Sequence, residues 1–455
     1  MRAALPRVLP VALLLVAITV LTVWIMADVG IVTPQRRPSY TALHGACWIL
    51  FGAACLLVKR VPDRLVPAIV TIGAVVIGLA ALTGQPNTST DSARYNWDGI
   101  VQNAGISPYR YVPTDTALQP LRPQWLFPDG TPTDSGGLRC PGLRARPAEQ
   151  VGAPGLVCTA INRPTVPTIY PPVAEALFAV ARFFVPRAVA YSPTQVLGLV
   201  AVVATTLLLL RTLRSLDRDP RWAAAFAWCP FVTMEAIGNA HIDGSAAFFA
   251  LAGTVLAVRG RALGAGALIG LGIATKFLPV LVVPPLLKRH PVRLAGAAVA
   301  VVVAVYVPHL IAAGDAVIGY LPGYLDEEGY DGGSRSALLS AVLPDTAATV
   351  GAAVLLLALA VVVLLRADPA DPWAAQVLVI GGALVLASPR YAWYALLLVP
   401  FMAMSGRWEW FAAVILFSIP VIAGQPVPFR VGLLLVVVVV VTAGVLRRRR
   451  SLRTD

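Results

Sequence analysis

Charged residues are scarce in this sequence, and their scarcity excludes an ordinary water-soluble protein. Only 13% of the 455 residues are Asp, Glu, Lys or Arg, while 58% are hydrophobic; soluble domains carry about 25% charged residues. A nucleotide-binding loop of the form G-x-x-x-x-G-K-S/T is also missing, which argues against ATP-driven transport by this chain. Lipid is therefore the expected solvent for most of the chain.

Cysteine and histidine are few as well, with five and four copies. Their spacing has no pattern typical of a zinc site. Cys47, Cys55 and Cys229 fall within apolar runs, where a small buried side chain is expected. Cys140 and Cys158 belong instead to a hydrophilic segment, and we predict that they form a disulfide in an oxidising compartment.

Apolar runs long enough to cross about 30 Å of hydrocarbon recur along the chain. Helices are expected there, because lipid offers no partner to an unpaired backbone group. We predict an all-α polytopic membrane protein with a single membrane domain over residues 1–455. Its twelve predicted spans lie near 8–27, 41–58, 65–83, 193–211, 222–239, 244–258, 294–313, 346–365, 372–388, 391–405, 408–423 and 430–446.

Basic residues cluster in alternate connections between these runs, and such clusters mark the cytoplasmic side. Both termini are therefore predicted to be cytoplasmic. Basic residues flank segment 262–287 on both sides, at Arg259 and Arg261 and again at Lys288. One crossing there would invert every later connection, so we predict a re-entrant pair of short helices, broken near Lys276. The net charge of +13 then lies largely beside anionic headgroups and requires no nucleic-acid partner.

The one long hydrophilic segment, residues 84–190, follows the third predicted span and is predicted to be an extracytoplasmic loop. Its aromatic, proline and glycine residues are typical of an ordered loop, and such loops often carry functional side chains. Near its end, the run from Val173 to Phe184 predicts a short helix along the membrane interface. The acidic residues Asp326, Glu327, Glu328 and Asp331 are predicted on the same side.

Two short runs at the start of this loop concentrate the polar residues. They are Asp91-Ser-Ala-Arg94-Tyr95-Asn-Trp97-Asp98-Gly99 and Ala104-Gly-Ile-Ser-Pro-Tyr109-Arg-Tyr111. A carboxylate can take a proton from a hydroxyl group, an arginine can stabilise a phosphate, and aromatic faces suit sugar rings. A solvated loop in which Asp91 caps a helix is the alternative interpretation.

These runs, together with other short motifs, resemble glycosyltransferase family 87 and its relatives within the GT-C superfamily. The remaining motifs are Asn162-Arg163, Thr168-Ile-Tyr170-Pro-Pro, His241-Ile-Asp243, Ala274-Thr-Lys276-Phe-Leu-Pro and Ser388-Pro-Arg390-Tyr-Ala-Trp-Tyr394. The resemblance implies a GT-C-like bundle, here of about twelve transmembrane helices with the re-entrant segment and the long loop. It also implies a mannosyltransferase-like enzyme that moves a sugar from a polyprenyl-phosphate donor to an extracytoplasmic lipid or glycan acceptor, with inversion.

The resemblance also suggests roles for individual residues. Asp91 is expected to be the general base, and Asp98 is expected to position the acceptor or the loop. The expected donor-phosphate ligands are Arg94, Lys276, Arg390 and Arg163, and the expected substrate-binding residues are Tyr95, Trp97, Tyr109, His241, Asp243 and Tyr170. An ionisable residue at membrane depth is costly to bury, which favours a functional role for Lys276.

Several alternatives stay open. In the family the catalytic carboxylate lies in the first outer loop, so Asp28, just after the first span, competes with Asp91. Asp91 and Asp98 are not spaced as a D-x-D pair, so we assign no metal ligand and no cofactor, and the question of a divalent ion is open. A lipid or solute transporter or flippase is the alternative function, although the inverted repeat expected of many transporters is not found.

Overall fold

A computed structural model describes residues 5–327, 329, 335–419 and 426–454, and it is mostly helical. Among these residues, seven helices are long and apolar enough to cross a membrane, and the bent pair Pro230–Gly238 and Asp243–Val258 makes an eighth candidate. The chain is therefore a multi-pass membrane protein. The α-helical parts of the seven are Leu5–Val23, Arg37–Leu57, Val66–Ala80, Ser192–Ser215, Pro291–Ala313, Asp345–Arg366 and Pro426–Thr454.

The predicted count of twelve spans is not confirmed. Three of the predicted spans fall on apolar helices that are shorter than the roughly 20 residues needed for a crossing. These are Trp373–Ala387, the combined stretch Ala392–Ser405, and the combined stretch Trp408–Phe417. Residues 420–423 of the predicted span 408–423 lie outside the described part of the chain, as do Glu328 and Asp331 of the predicted acidic stretch.

Segment 262–287 consists of one helix, Ala262–Ile273, followed by the short 3-10 helices Leu278–Val282 and Pro284–Leu286. Gly266 lets the helix lie against Pro291–Ala313, since a Cβ atom there would overlap with the Leu294 carbonyl. After the segment, Arg289 and His290 line a small cleft together with Gly260 and Ala262, so the two ends of the segment lie close together. The re-entrant course of this segment is not confirmed and stays a prediction.

The main hydrophobic core lies between these helices and is built around large aromatic side chains. Trp228, Phe231, Trp373 and Phe401 are fully buried there. The Trp228 indole donates a hydrogen bond to the Val70 carbonyl over 3.2 Å. This core fixes the helix ends that carry the polar residues described below.

Residues 84–190 fold as a small unit with a hydrophobic core of its own. Its helices are Asp91–Asn103, the 3-10 helix Thr116–Leu121 and Pro172–Arg182. The last of these agrees with the short helix predicted over Val173 to Phe184. Trp97 packs on Phe127 in this second core.

Two antiparallel hairpins complete this unit. Strand Thr131–Pro132 pairs with Leu138–Arg139, and Arg146–Glu149 pairs with Leu156–Thr159 so that Arg146 is opposite Thr159. A disulfide links Cys140 to Cys158, whose Cα atoms are 5.5 Å apart. Because Cys158 lies on the fourth strand, the disulfide fastens the segment after the first hairpin to the second hairpin.

Candidate active site

A cavity of about 310 Å³ lies where the loop unit meets the ends of the membrane helices. Five separate stretches of the chain contribute to its wall. The lining residues are Asp91, Arg94, Asn162, Arg163, Val166, Pro167, Ile169, Tyr170, Pro171, Lys276, Phe277, Leu278, Tyr320, Leu321, Tyr324, Leu325, Tyr391, Trp393 and Tyr394. Aromatic and aliphatic side chains thus surround a few charged groups, as is usual for pockets that bind organic ligands.

Asp91 begins the helix Asp91–Asn103 and directs its carboxylate into the cavity. Its Oδ1 atom accepts a hydrogen bond of 2.7 Å from Asn162 Nδ2, and its Oδ2 atom is 3.8 Å from His241 Nδ1. A carboxylate in the first turn of a helix is stabilised by the helix dipole. About 14% of the side chain stays exposed, so the carboxylate remains accessible from the cavity.

His241 lies directly behind Asp91. It follows the π-helix Thr233–Gly238 and Ala240, which adopts a left-handed φ of 59°. The imidazole is wholly buried and stacks on Trp393 with ring centroids 3.8 Å apart. Its Nε2 atom is 3.3 Å from Glu235 Oε2, so a carboxylate is near each ring nitrogen.

Lys276 lies at the break between helix Ala262–Ile273 and the following 3-10 helix. Its Nζ atom is 3.5 Å from Asp243 Oδ2, and the Tyr170 and Tyr394 ring centroids are 5.6 and 5.4 Å away. An ammonium group between two aromatic faces is held by cation–π attraction and still presents its protons to the cavity. This geometry suits an anionic ligand such as a phosphate.

Arg94 is one helical turn after Asp91 and lines the same cavity. Its Nε atom donates to both Asp98 oxygens over 3.0 Å, and its Nη1 atom donates to the Val166 carbonyl over 3.1 Å. Nη2 is buried and has no hydrogen-bond partner among the described residues. Asp98 itself is buried and does not line the cavity, so it orients Arg94 rather than meeting a ligand.

A second buried carboxylate, Glu175, lies beside Asp98. Glu175 accepts hydrogen bonds of 2.8 Å from both Thr168 Oγ1 and Gln102 Nε2. Burial, together with the neighbouring Asp98 charge, raises the pKa of Glu175 well above its usual range. The hydrogen bond from Gln102 to Glu175 joins helix Pro172–Arg182 to the Asp91 helix.

Arg163 forms the rim of the cavity. Its backbone has a left-handed φ of 49°, and its guanidinium makes two hydrogen bonds to Glu327, of 2.7 and 2.8 Å. These bonds raise the pKa of Arg163 and lower that of Glu327. Arg390 is exposed and does not line the cavity, although its charge is near enough to Glu327 to favour the ionised carboxylate.

Three aromatic residues expected to bind substrate are buried away from the cavity. Tyr95 stacks on Phe178 with ring centroids 4.4 Å apart, and Trp97 belongs to the core of the loop unit. Tyr109 donates a 2.6 Å hydrogen bond to the Tyr170 carbonyl. Helix periodicity explains why Trp97 does not face the cavity as Asp91 does. Residues three or four apart share a face of a helix, and Trp97 is six positions from Asp91.

Other cavity residues were not predicted as site residues. Asn162 precedes Arg163 in the family-like motif and could have been found from it, and Trp393 and Tyr394 follow Arg390 in another motif. Tyr320 and Tyr324 had no signal in the sequence, because their approach to the cavity depends on packing between distant segments.

Asp28, the alternative base, is exposed and lines a separate surface groove with Arg36. It does not contribute to the cavity that contains Asp91. Within the described ranges, no three His, Cys, Asp or Glu side chains are grouped as metal ligands.

Comparison with protein families gives a match between residues 168–389 and glycosyltransferase family 87. The predicted family resemblance is thereby confirmed over this range, which contains His241, Asp243 and Lys276. Asp91 and Arg94 precede the matched range, and Arg390 follows it by one residue. Neither the curated proteins nor the solved structures gave a match. The family match and the long apolar helices together indicate a membrane glycosyltransferase, which would use a donor and an acceptor.

Proposed function

Taking the family 87 match as the premise, we propose that this protein transfers a sugar from a polyprenyl-phosphate donor to a lipid or glycan acceptor. The proposed sugar is mannose. The observation that carries the proposal is the cavity itself, where the Asp91 carboxylate and the cationic Lys276 and Arg94 side chains face one apolar, aromatic space. A base, a phosphate site and ring-binding surfaces are thus available together. The donor, the sugar and the acceptor are parts of the proposal.

In the proposed reaction, Asp91 takes the proton of the acceptor hydroxyl while the hydroxyl oxygen attacks the anomeric carbon of the sugar. The bond between that carbon and the phosphate oxygen breaks, and the phosphate leaves with the electron pair. Lys276 and Arg94 Nη2, which has no hydrogen-bond partner in the described part of the chain, would stabilise the charge that develops on the phosphate. Asn162 fixes one Asp91 oxygen and leaves the carboxylate oriented for proton transfer. Attack from the face opposite the phosphate inverts the configuration at the anomeric carbon.

The polyprenyl tail would leave the cavity toward the lipid beside Phe277. This side chain lines the cavity and is also 48% exposed. Leu278, Leu321 and Leu325 continue the apolar wall on either side. An apolar exit next to Lys276 would let the phosphate bind while the tail stays in hydrocarbon.

We further propose that the chain crosses the membrane twelve times with segment 262–287 re-entrant, both termini cytoplasmic and residues 84–190 extracytoplasmic. The common cleft of Gly260, Ala262 and His290 supports this topology, because it brings both ends of the segment to one level. A reporter fused after Pro291 should read cytoplasmic, and one fused after Leu343 should read extracytoplasmic. An extracytoplasmic signal at Pro291 would exclude the re-entrant course.

Purified protein should be incubated with labelled polyprenyl-phosphate mannose, or with other polyprenyl-phosphate sugars, and a lipid extract as acceptor source. Asp91→Asn keeps the shape of the side chain but removes the proton acceptor, so turnover should fall by roughly 10²-fold or more while donor binding survives. Asp28→Asn is the matched control and should be nearly silent. Wild-type turnover in Asp91→Asn together with loss in Asp28→Asn would assign catalysis to the first outer loop.

The same preparation can test the transporter alternative. In vesicles that contain the protein and labelled polyprenyl-phosphate sugar, we expect transfer to acceptor. Movement of the unchanged lipid between leaflets without any transfer would instead support a flippase.

A further inference from the structure

The His241 imidazole has an arrangement that substrate binding does not explain. Its side chain has no exposed surface, so it meets no ligand directly. Asp91 is near Nδ1 at 3.8 Å, and Glu235 is near Nε2 at 3.3 Å. Neither nitrogen makes a hydrogen bond within the described residues. Each nitrogen of this fully buried histidine thus lies near a carboxylate without being hydrogen-bonded to it.

We propose that Glu235 and His241 form a proton relay behind Asp91, in which His241 holds the proton that Asp91 takes from the acceptor. The inference rests on the proposed transfer reaction. His241 and Glu235 act through Asp91 and do not touch substrate, so they are positioning residues. Asp91 would remain the base, and His241 would hold the proton after Asp91 has taken it from the acceptor.

The proton balance fixes the resting state of the relay. Before reaction, Asp91 is ionised, and the neutral imidazole carries its proton on Nε2, which faces the ionised Glu235 carboxylate. Nδ1 then has a free lone pair toward Asp91. Asp91 takes the hydroxyl proton as the new glycosidic bond forms and passes it to Nδ1, which gives an imidazolium ion and restores the Asp91 carboxylate. The proton returns through Asp91 to the departing phosphate, which carries one more negative charge than the donor did.

The surroundings of the imidazole suit a temporary cation. Glu235 supplies the opposite charge on one side, and the Trp393 face lies against the ring at 3.8 Å with an interplanar angle of 18°. The 3.8 Å gap to Asp91 is longer than a hydrogen bond, as is common for catalytic contacts before the substrate is bound. The strained Ala240, with φ of 59°, lies in the turn that places His241 close to both carboxylates.

Other ionisable groups near the relay also contribute to the local charge. Asp243 and Lys276 form an ion pair beside Asp91, and the hydroxyl groups of Tyr95 and Tyr170 interact with the same carboxylates. On the far side of Glu235, the buried Tyr40 is within electrostatic reach. Because Asp243 pairs with Lys276, the charges that remain beside His241 are those of Asp91 and Glu235. When the imidazole takes up a second proton, its positive charge compensates for one of these two carboxylates.

His241→Gln should lower kcat by roughly 10²-fold and leave the donor KM near the wild-type value, because the variant lacks the proton store but keeps the phosphate site. The pH profile separates this role from a structural one. Wild-type kcat should fall on the acid side where the imidazole is already protonated, and His241→Gln should lose that limb. Glu235→Gln should keep the limb but move it to lower pH, since the imidazolium loses its counter-charge.

His44→Gln is the matched control. His44 is also buried and stacks on an aromatic ring, that of Tyr40 at 5.4 Å, but it accepts a hydrogen bond from Trp48 and does not line the cavity. Its kcat and pH profile should resemble the wild type. If His241→Gln fails to fold, the shifted limb of Glu235→Gln still tests the relay.

A readout without turnover keeps this proposal distinct from the proposed function. The chain has four histidines, so single substitutions assign their signals in a ¹⁵N-histidine NMR spectrum. At about pH 8 the His241 signals should report a neutral ring with its proton on Nε2. Absence of sugar transfer by the wild type would contradict the proposed function but not this tautomer. A proton on Nδ1, an unchanged acid limb in His241→Gln, or a raised donor KM with unchanged kcat would each overturn the relay.

Discussion

Replacing Lys276 by Met tests the proposed phosphate site. In the wild type, Lys276 Nζ is 3.5 Å from Asp243 Oδ2 and lies between the Tyr170 and Tyr394 rings. Met keeps the length and much of the apolar contact of the side chain but removes its charge. A hydrogen bond to a charged group contributes about 1.5–3 kcal/mol, so the donor KM should rise by roughly 10- to 150-fold.

The same substitution has a second effect that must be separated from donor binding. It leaves Asp243 as a buried carboxylate without its cation, and breaking a buried pair destabilises a protein by about 3–5 kcal/mol. The double variant Lys276→Met/Asp243→Asn removes both charges, so it should regain most of the thermal stability. Its donor KM should stay high, because the cation is still missing.

Steady-state transfer at varied donor and fixed acceptor concentration measures the donor KM, and thermal unfolding in the same detergent measures the stability. Lys276→Arg keeps the positive charge and should have a donor KM nearer to the wild type than Lys276→Met. A double variant that unfolds like the wild type and also has the wild-type donor KM would refute the phosphate role of Lys276.

Three further predictions concern stability. Burial raises the pKa of Glu175, so its contribution to stability is present below the ordinary pKa of 4.5 and is lost as pH rises through the raised value. The Glu175→Gln variant should therefore have a higher melting temperature than the wild type at about pH 8. At about pH 4 the two melting temperatures should be equal. Replacing Cys140 and Cys158 by Ser should destabilise the loop unit by about 3 kcal/mol, which faster proteolysis would reveal. Gly198→Ala should destabilise the protein by about 1–3 kcal/mol, since its Cβ would overlap with a facing backbone carbonyl. Gly296→Ala is the control, because its Cβ would lie in open space and should not lower the melting temperature. Equal melting temperatures for the two variants would contradict the packing argument.

Much of the architecture follows from local sequence. Lipid leaves an apolar run no alternative to a helix, so the long helices Ser192–Ser215 and Asp345–Arg366 agree with predicted spans to within a few residues. The same reasoning predicted the short helix after Pro171. It was weaker where helices are short, because apolarity alone does not distinguish a crossing from a buried segment such as Trp373–Ala387.

The sequence by itself also determined the chemistry that this protein has available. Asp91, Arg94, Lys276 and Tyr170 were predicted from residue type and motif, and all four line the cavity. Buried charges are costly and rarely occur without a role. The sequence could not distinguish side chains that face the cavity from those that support it. Trp97 is as prominent in the motif as Asp91, but it packs in the core of the loop unit.

Only the tertiary structure decided which groups meet. His241 is 150 positions from Asp91, and Lys276 is 33 positions from Asp243. No local sequence pattern could therefore predict that the members of each pair lie close together. Helix packing set those distances by bringing the ends of several helices to the loop unit, where Asp98 orients Arg94 and Glu235 lies behind His241. The physical reason is that residue type fixes charge and polarity locally, whereas pairing between charges depends on long-range packing, which no single segment encodes.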